Sequence, residues 1–100
     1  MITLPDLLAE PHRFMSGLTS DSRQVKQGFL FAALPGIRAD GSAYVGDALA
    51  RGAAIVLASP DAIMPEDIAV PVVLVDNPRL ALARLAAAFH APLPEVLTAV

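Results

Sequence analysis

The chain has 100 residues, 55% of them hydrophobic and 17% charged, with a formal net charge of −3 at pH 7. This length allows one domain at most, and the negative charge argues against non-specific nucleic-acid binding, which needs a basic surface. There is no cysteine, which excludes disulfides and thiolate metal sites, and no apolar run reaches the ~18 residues of a membrane span.

The first predicted element is a short helix over residues 3–9. Thr3 is a suitable cap, and Asp6 lies in the first turn, where a negative charge is favoured. Pro11 is expected to end this helix. Residues 18–23 follow as a strand or an extended loop, because the alternation of apolar and polar residues there is weak.

Residues 29–34 form a continuous apolar run, which is typical of a strand that is covered on both faces in a parallel sheet. Residues 35–41 contain Pro-Gly and Asp-Gly pairs, which predict a loop. A helix is expected over 42–51, with Ser42 as N-cap and Gly52 just past its end. Its apolar stripe consists of Val45, Ala48 and Leu49.

A second buried strand is predicted over 53–58, and a third over 70–75. The connection at 59–69 is expected to contain one helical turn near 61–64. Together these elements predict an α/β fold: a small three-layer domain with a mostly parallel sheet of about four strands flanked by helices.

The last helix is predicted to start at Pro78, after a cap at Asp76 or Asn77. Pro92 and Pro94 break it. The helix presents one apolar face, made of Leu82, Leu85, Ala86 and Phe89.

The segment 18–23 holds three hydroxyls, a carboxylate and a guanidinium in a chain with few polar groups. One interpretation is a turn capped by Asp21 or Ser22, in which Arg23 pairs with Asp21. The other is a binding site, since serine hydroxyls and a planar guanidinium suit the oxygens of a diphosphate.

The loop 35–41 leaves the carboxyl end of a predicted strand and enters a helix, which is where α/β sheets bind ligands. Together with Arg38, the free N–H groups of a helix N-terminus would suit an anion. Alternatively, Gly36 and Gly41 simply serve two tight turns.

No catalytic residue and no metal site are predicted. No nucleophile has a base nearby, and nothing places Asp21 beside Asp40 as an acid pair. His12 and His90 lie far apart in sequence, and a zinc ligand pair made from them is not the favoured interpretation. Tyr44 is expected to be a half-buried helix residue, and His90 to interact with the dipole at a helix end.

Taken together, the segments resemble the N-terminal domain of the Mur ligases. The residues that carry the resemblance are T-x-D-S-R from Thr19, G-x-L-F-x-A from Gly28, G-x-x-x-D-G from Gly36 and the helix end at Arg51-Gly-Ala. Within the family, the tail "VPVVLVDNPRLALARLAAAFHAPLPEVLTAV" is more similar to the ligase that adds the third peptide residue than to the one that adds D-Ala-D-Ala.

The resemblance implies that the domain binds the UDP part of UDP-N-acetylmuramoyl-L-Ala-D-Glu. The matching positions for contacts to it are Ser20, Ser22, Ile37, Arg38 and Ala39. Ser22 is expected at the diphosphate and 37–39 at the uridine through their main chain. The supporting positions are Asp21, Arg23, Gly36, Asp40 and Gly41.

The resemblance also implies which domains of the ligase this chain contains. Residues 1–92 would be the UDP-substrate domain, and 93–100 the linker and first strand of a central domain that binds ATP and magnesium. The fragment alone would be inactive, with no cofactor of its own, and would work beside the central and C-terminal domains of the same chain.

The start of the chain lacks a secretory signal, so a cytoplasmic ligase without nucleic-acid or membrane partners is expected. Either meso-diaminopimelate or L-lysine suits as the added residue, because the deciding residues lie outside the chain.

Overall fold

A parallel sheet lies at the centre of the computed structural model, which describes residues 2–34, 44–62, 64–65 and 68–91. In these residues the sheet has four strands in the order β1-β2-β3-β4, and every neighbouring pair is parallel. The strands are β1 (Gly17–Thr19), β2 (Phe29–Ala33), β3 (Ile55–Ala58) and β4 (Val72–Leu74). The predicted α/β fold with a parallel sheet of about four strands is therefore confirmed.

Helices cover both faces of this sheet and make it a three-layer structure. They are α1 (Leu4–Ala9), α2 (Pro11–Phe14), α3 (Val45–Ala50) and α4 (Pro78–Phe89). On one face, Leu30 and Ile55 share a buried cluster with Leu7 of α1 and Leu85 of α4. The opposite face has a second cluster, in which α3 covers the strands: Phe31, Ala33, Val45, Ala48, Val56 and Ala58. Successive side chains of a strand point to opposite faces of the sheet, so each of these strands contributes to both buried clusters. This is why β2 and β3 are apolar throughout.

The N-terminal segment is a pair of short helices, where one was expected. The Asp6 carboxylate accepts hydrogen bonds from the N–H of Thr3 at 3.0 Å and from its Oγ1 at 2.9 Å, which caps α1. Pro11 does more than stop this helix, because it is the first residue of α2. Proline suits that position, since its missing N–H would have no partner there.

Two glycines join α3 to the segment that precedes β2. Gly52 has φ 104° and Gly28 has φ 87°, backbone angles that favour glycine. The N–H of Gly28 donates to the carbonyl oxygen of Gly52 at 2.9 Å. The predicted stop of α3 at Gly52 is confirmed, and it also serves as a docking point for the neighbouring segment.

The ends of α4 are fixed by side chains. Asn77, not Asp76, is the cap: its Oδ1 accepts the N–H of Leu80 at 3.1 Å. At the other end, Nε2 of His12 lies 2.7 Å from the carbonyl oxygen of Phe89, and the two rings lie 4.1 Å apart. The sequence pointed to His90 for this role, and His12 was missed because 77 residues separate it from its partner.

Other predicted elements are shorter than expected or lie outside the described residues. The strand predicted over 70–75 is β4, and the strand predicted over 53–58 is β3. In the described part of 59–65, a turn closed by the N–H of Ala62 and the carbonyl oxygen of Ser59 replaces the expected helical turn. The linker and strand predicted over 93–100 are outside the described residues. Among the described helices, none has both the length and the hydropathy to cross a membrane.

Candidate functional site

The polar segment that follows β1 lies at the carboxyl edge of the sheet. Because β1 and β2 are parallel neighbours, both end at this edge, and Thr19 pairs with Phe31 in register. The segment Ser22–Gln24 then forms a single 3-10 turn instead of continuing the strand. This edge is where ligands bind in open α/β sheets.

Asp21 organises that turn. Its backbone N–H donates to Thr19 Oγ1 at 3.1 Å, and its Oδ1 accepts the N–H of Arg23 at 3.0 Å. The Arg23 guanidinium binds the same carboxylate twice, with Nε 3.1 Å from Oδ1 and Nη2 2.9 Å from Oδ2. These side-chain bonds, followed by the backbone bond, hold the pKa of Asp21 below its ordinary value. The predicted Asp21–Arg23 pair is thus confirmed, with Asp21 as the cap of the turn.

The two serines of the segment differ in burial. Ser20 is exposed, whereas Ser22 keeps only 6% of its surface accessible. Of the described residues, Ser22 is the sole polar one in the buried set. Ser22 nevertheless lies on the wall of a cavity.

That cavity has a volume of 570 Å³ and opens between the 3-10 turn and the start of α3. Its walls are Ser20, Asp21, Ser22, Arg23, Tyr44 and Asp47. The structure therefore brings all four predicted residues of the first segment to one pocket. It adds two residues from α3 and its N-terminal flank that the sequence did not assign to a site.

Tyr44 corrects a sequence-based expectation. It was predicted to be a half-buried helix residue; with 47% of its surface exposed it is about half buried, but it is the N-cap of α3 and not a residue within the helix. The reason is its position: α3 begins at Val45, so Tyr44 precedes the helix and is not held on the buried stripe. Its place three residues after a predicted ligand loop was the available signal.

The second carboxylate of the pocket is also paired. Arg51 Nε lies 3.2 Å from both oxygens of Asp47, and its Nη1 donates to the carbonyl oxygen of Arg23 at 3.5 Å. Arg51 therefore links the end of α3 to the 3-10 turn. The sequence had assigned this arginine only to the last turn of a helix.

The other half of the predicted site lies outside the described residues. This concerns six positions: Gly36, Ile37, Arg38, Ala39, Asp40 and Gly41. The acid pair that would need Asp40 lies outside them as well. Tyr44 is the first described residue after this segment, and it lines the same pocket as Ser22.

A smaller cavity of 290 Å³ lies at the carboxyl ends of β3 and β4. It is lined by Ser59, Asp61, Ala62, Asp76, Asn77, Pro78 and Arg79. No cluster of three potential metal ligands occurs in the part of the chain that the structure describes. The sequence also lacks a G-x-x-x-x-G-K-[ST] phosphate loop, and Lys26 is its only lysine.

Comparison with known proteins gives one family. The sequence matches the model of the Mur ligase family, catalytic domain, over residues 15–90. It is 50% identical over 86 residues to the UDP-N-acetylmuramoyl-L-alanyl-D-glutamate–2,6-diaminopimelate ligase of Brucella melitensis, which covers 86% of this chain and 17% of that protein. The ligase of the same name from Rhizobium meliloti is 45% identical over the same shares. The chain thus spans less than a fifth of the length of these relatives.

Solved structures with a similar fold come from the same family. MurF from Acinetobacter baumannii superposes with a TM-score of 0.61 at 30% identity, over 74% of this chain and 15% of that one. MurF ligase from Thermotoga maritima in complex with ADP gives a TM-score of 0.58 at 28% identity, over 81% of this chain and 17% of that one.

Proposed function

The chain belongs to the Mur ligase family, and we propose that it is the domain that binds the UDP part of a UDP-N-acetylmuramoyl-peptide. The pocket at the carboxyl edge of β1 and β2 carries this proposal. It holds a buried hydroxyl at Ser22 and an exposed one at Ser20, on a turn held rigid by Asp21 and Arg23. A rigid turn favours the binding of a diphosphate, because less conformational entropy is lost when the hydroxyl donors are already in position.

The proposed contacts follow from this geometry and from the family. Ser20 and Ser22 contact the diphosphate side of the nucleotide, while Ile37, Arg38 and Ala39 contact uridine mainly through their backbone. Asp21 and Arg23 shape the turn, because each is occupied by the other. Gly36, Asp40 and Gly41 shape the second segment.

The substrate of the whole protein is proposed to be UDP-N-acetylmuramoyl-L-Ala-D-Glu, to which the complete cytoplasmic ligase adds a third residue with ATP hydrolysis. The names of the relatives favour 2,6-diaminopimelate as that residue. The sequence has no G-x-x-x-x-G-K-[ST] phosphate loop for the ATP of this reaction. ATP and magnesium would be held by the central domain.

A second candidate is the corresponding domain of the ligase that adds D-Ala-D-Ala. The similar fold of two MurF structures favours it, but their identity of 28–30% is below the 45–50% of the diaminopimelate ligases. An interaction domain without a ligand is the third candidate, and it would be favoured if Ser22 and the 36–41 loop lay on opposite sides of the sheet. Tyr44, the first described residue after that loop, lines the pocket of Ser22, which favours the binding function.

Titration of the isotope-labelled chain with UDP, followed by amide NMR, tests this proposal. We expect shifts to concentrate at 20–23, 36–41 and Tyr44, with ADP much weaker. Ser22→Ala should weaken UDP binding about tenfold or more, the usual effect of losing a hydrogen bond to a charged group. Ser59→Ala, at the end of β3 on the same edge, is the matched control and should bind as the parent does. Shifts confined to residues remote from this pocket at millimolar UDP would refute the proposal.

A further inference from the structure

An exposed aromatic ring stands on the wall of the proposed nucleotide pocket. Among the described residues, the large hydrophobic side chains with high exposure are Tyr44 at 47%, Leu74 at 55% and Leu80 at 49%. Of these, Tyr44 alone lines the pocket that contains Ser22. In the described part of the chain, neither buried cluster nor its partly buried rim includes Tyr44, so its ring has no evident packing role.

The charges around the ring are balanced. Arg23 is bound to Asp21 at 2.9 Å, and Arg51 is bound to Asp47 at 3.2 Å. The described walls of the pocket carry the carboxylates of Asp21 and Asp47 and the guanidinium of Arg23, while Arg51 pairs with Asp47 from the end of α3, so these walls have no excess positive charge. The α3 side of the pocket, with Tyr44 and Asp47, therefore suits the uncharged part of a nucleotide, whereas the turn with Ser20 and Ser22 offers hydroxyl donors for its phosphates.

Tyr44 also lies next to the charged turn. Tyr44 lines the same cavity as Asp21 and Arg23 of that turn. The ring thus borders the turn that carries Ser20 and Ser22. A nucleotide whose phosphates contact those hydroxyls would have its base within reach of this side of the pocket.

We infer that Tyr44 is the aromatic wall on which the pyrimidine base of the nucleotide stacks. The inference rests on the proposed function and adds the residue that recognises the base. In proteins that bind single-stranded nucleic acids, bases stack on the faces of aromatic side chains. Tyr44 offers such a ring, which is flat, neutral and partly exposed. Stacking of this kind changes affinity by about 5- to 100-fold for each base.

The complete 100-residue chain offers a direct test, because Tyr44 is its only tyrosine and it has no tryptophan. Tyrosine fluorescence, and the single set of tyrosine ring signals in NMR, therefore report on Tyr44 alone. Uridine and UDP should each shift these ring signals, and the H5 and H6 protons of uracil should move upfield through the ring current. Pyrophosphate should leave the ring signals unchanged.

Variants separate stacking from a structural role. Tyr44→Phe should keep the upfield shifts and the affinity within about threefold, while Tyr44→Leu should abolish the shifts and lower affinity for uridine and UDP by a similar factor, about fivefold or more. Pyrophosphate affinity should not change. Leu80→Ala, on the helix that covers the opposite face of the sheet, is the control for loss of an equally exposed apolar side chain.

The outcomes distinguish this inference from the function on which it rests. If the parent chain binds UDP at the Ser22 pocket but the uracil protons stay in place, or Tyr44→Leu binds as the parent does, Tyr44 is not the stacking residue. If UDP perturbs no residue of this pocket in the parent chain, the proposed function itself fails. The shifts of the parent chain and of Tyr44→Phe decide the question even if Tyr44→Leu does not fold.

Discussion

Replacement of Gly52 by alanine tests the junction that holds the segment before β2 against the end of α3. Gly52 has φ 104°, an angle that L-residues rarely adopt. A Cβ placed there would lie 2.9 Å from Gln27 Cα, a backbone atom that cannot move away alone. The same glycine accepts the N–H of Gly28 through its carbonyl at 2.9 Å, so a shift of either segment disturbs this bond.

The expected cost has two parts. The unfavourable backbone angle costs about 1–3 kcal/mol, and the forced displacement of Gln27 adds about 1 kcal/mol. We therefore expect Gly52→Ala to lower the free energy of unfolding by about 2–4 kcal/mol. With a urea dependence of about 2 kcal/mol per molar, the midpoint of unfolding should fall by about 1–2 M.

Gly46→Ala is the matched control, because it makes the same chemical change within α3. An added Cβ at Gly46 meets no atom within 4 Å. Alanine is favoured over glycine in helices, so this variant should gain about 0.5–1 kcal/mol. Urea unfolding followed by circular dichroism measures both variants. Midpoints that move in the same direction by similar amounts would refute the reasoning from φ and close contact.

Three further results are expected. Leu85→Ala removes a fully buried side chain and should cost about 2–5 kcal/mol, whereas Leu80→Ala on the same helix, 49% exposed, should stay within about 0.5 kcal/mol; equal urea midpoints would contradict this. The pKa of Asp21, measured by NMR, should lie below its ordinary value of 3.8, so the stabilisation from its bonds is present above about pH 4 and is lost as the pH falls through the lower folded pKa. Arg23→Gln should raise the pKa of Asp21, and an unchanged titration would speak against the ion pair. Asn77→Ala removes the cap on the N–H of Leu80 and should lower stability by about 0.5–2 kcal/mol, with a loss below this range arguing against the cap.

Local signals in the sequence were sufficient for much of the fold. The apolar runs at 29–34 and 53–58 predicted buried strands, and β2 and β3 lie within them. Pro78 was placed correctly as the first residue of α4, and Gly52 as the stop of α3. These signals are strong because each depends on a few neighbouring residues: a fixed proline angle, a positive glycine φ, or a stretch without polar side chains.

Local sequence signals also predicted the turn that Asp21 and Arg23 form at the proposed site. Asp21 caps its own turn and pairs with Arg23 two residues on, so the turn interpretation of this segment could be stated from sequence. Its location beside a cavity could not, because the cavity exists only where α3 approaches β1. The second predicted segment, 36–41, lies outside the described residues and stays a prediction.

Contacts between distant parts of the chain escaped the sequence entirely. His12 reaches the end of α4 across 77 residues, and Tyr44 joins Ser20 and Ser22 only because β1 and β2 end at one edge. No periodicity encodes such pairs, since strand order and the approach of helices depend on which surfaces bury each other best. Short sequence segments thus determine which chemical groups the proposed pocket has. Which of these groups come together depends on the packing of helices on both faces of a parallel sheet.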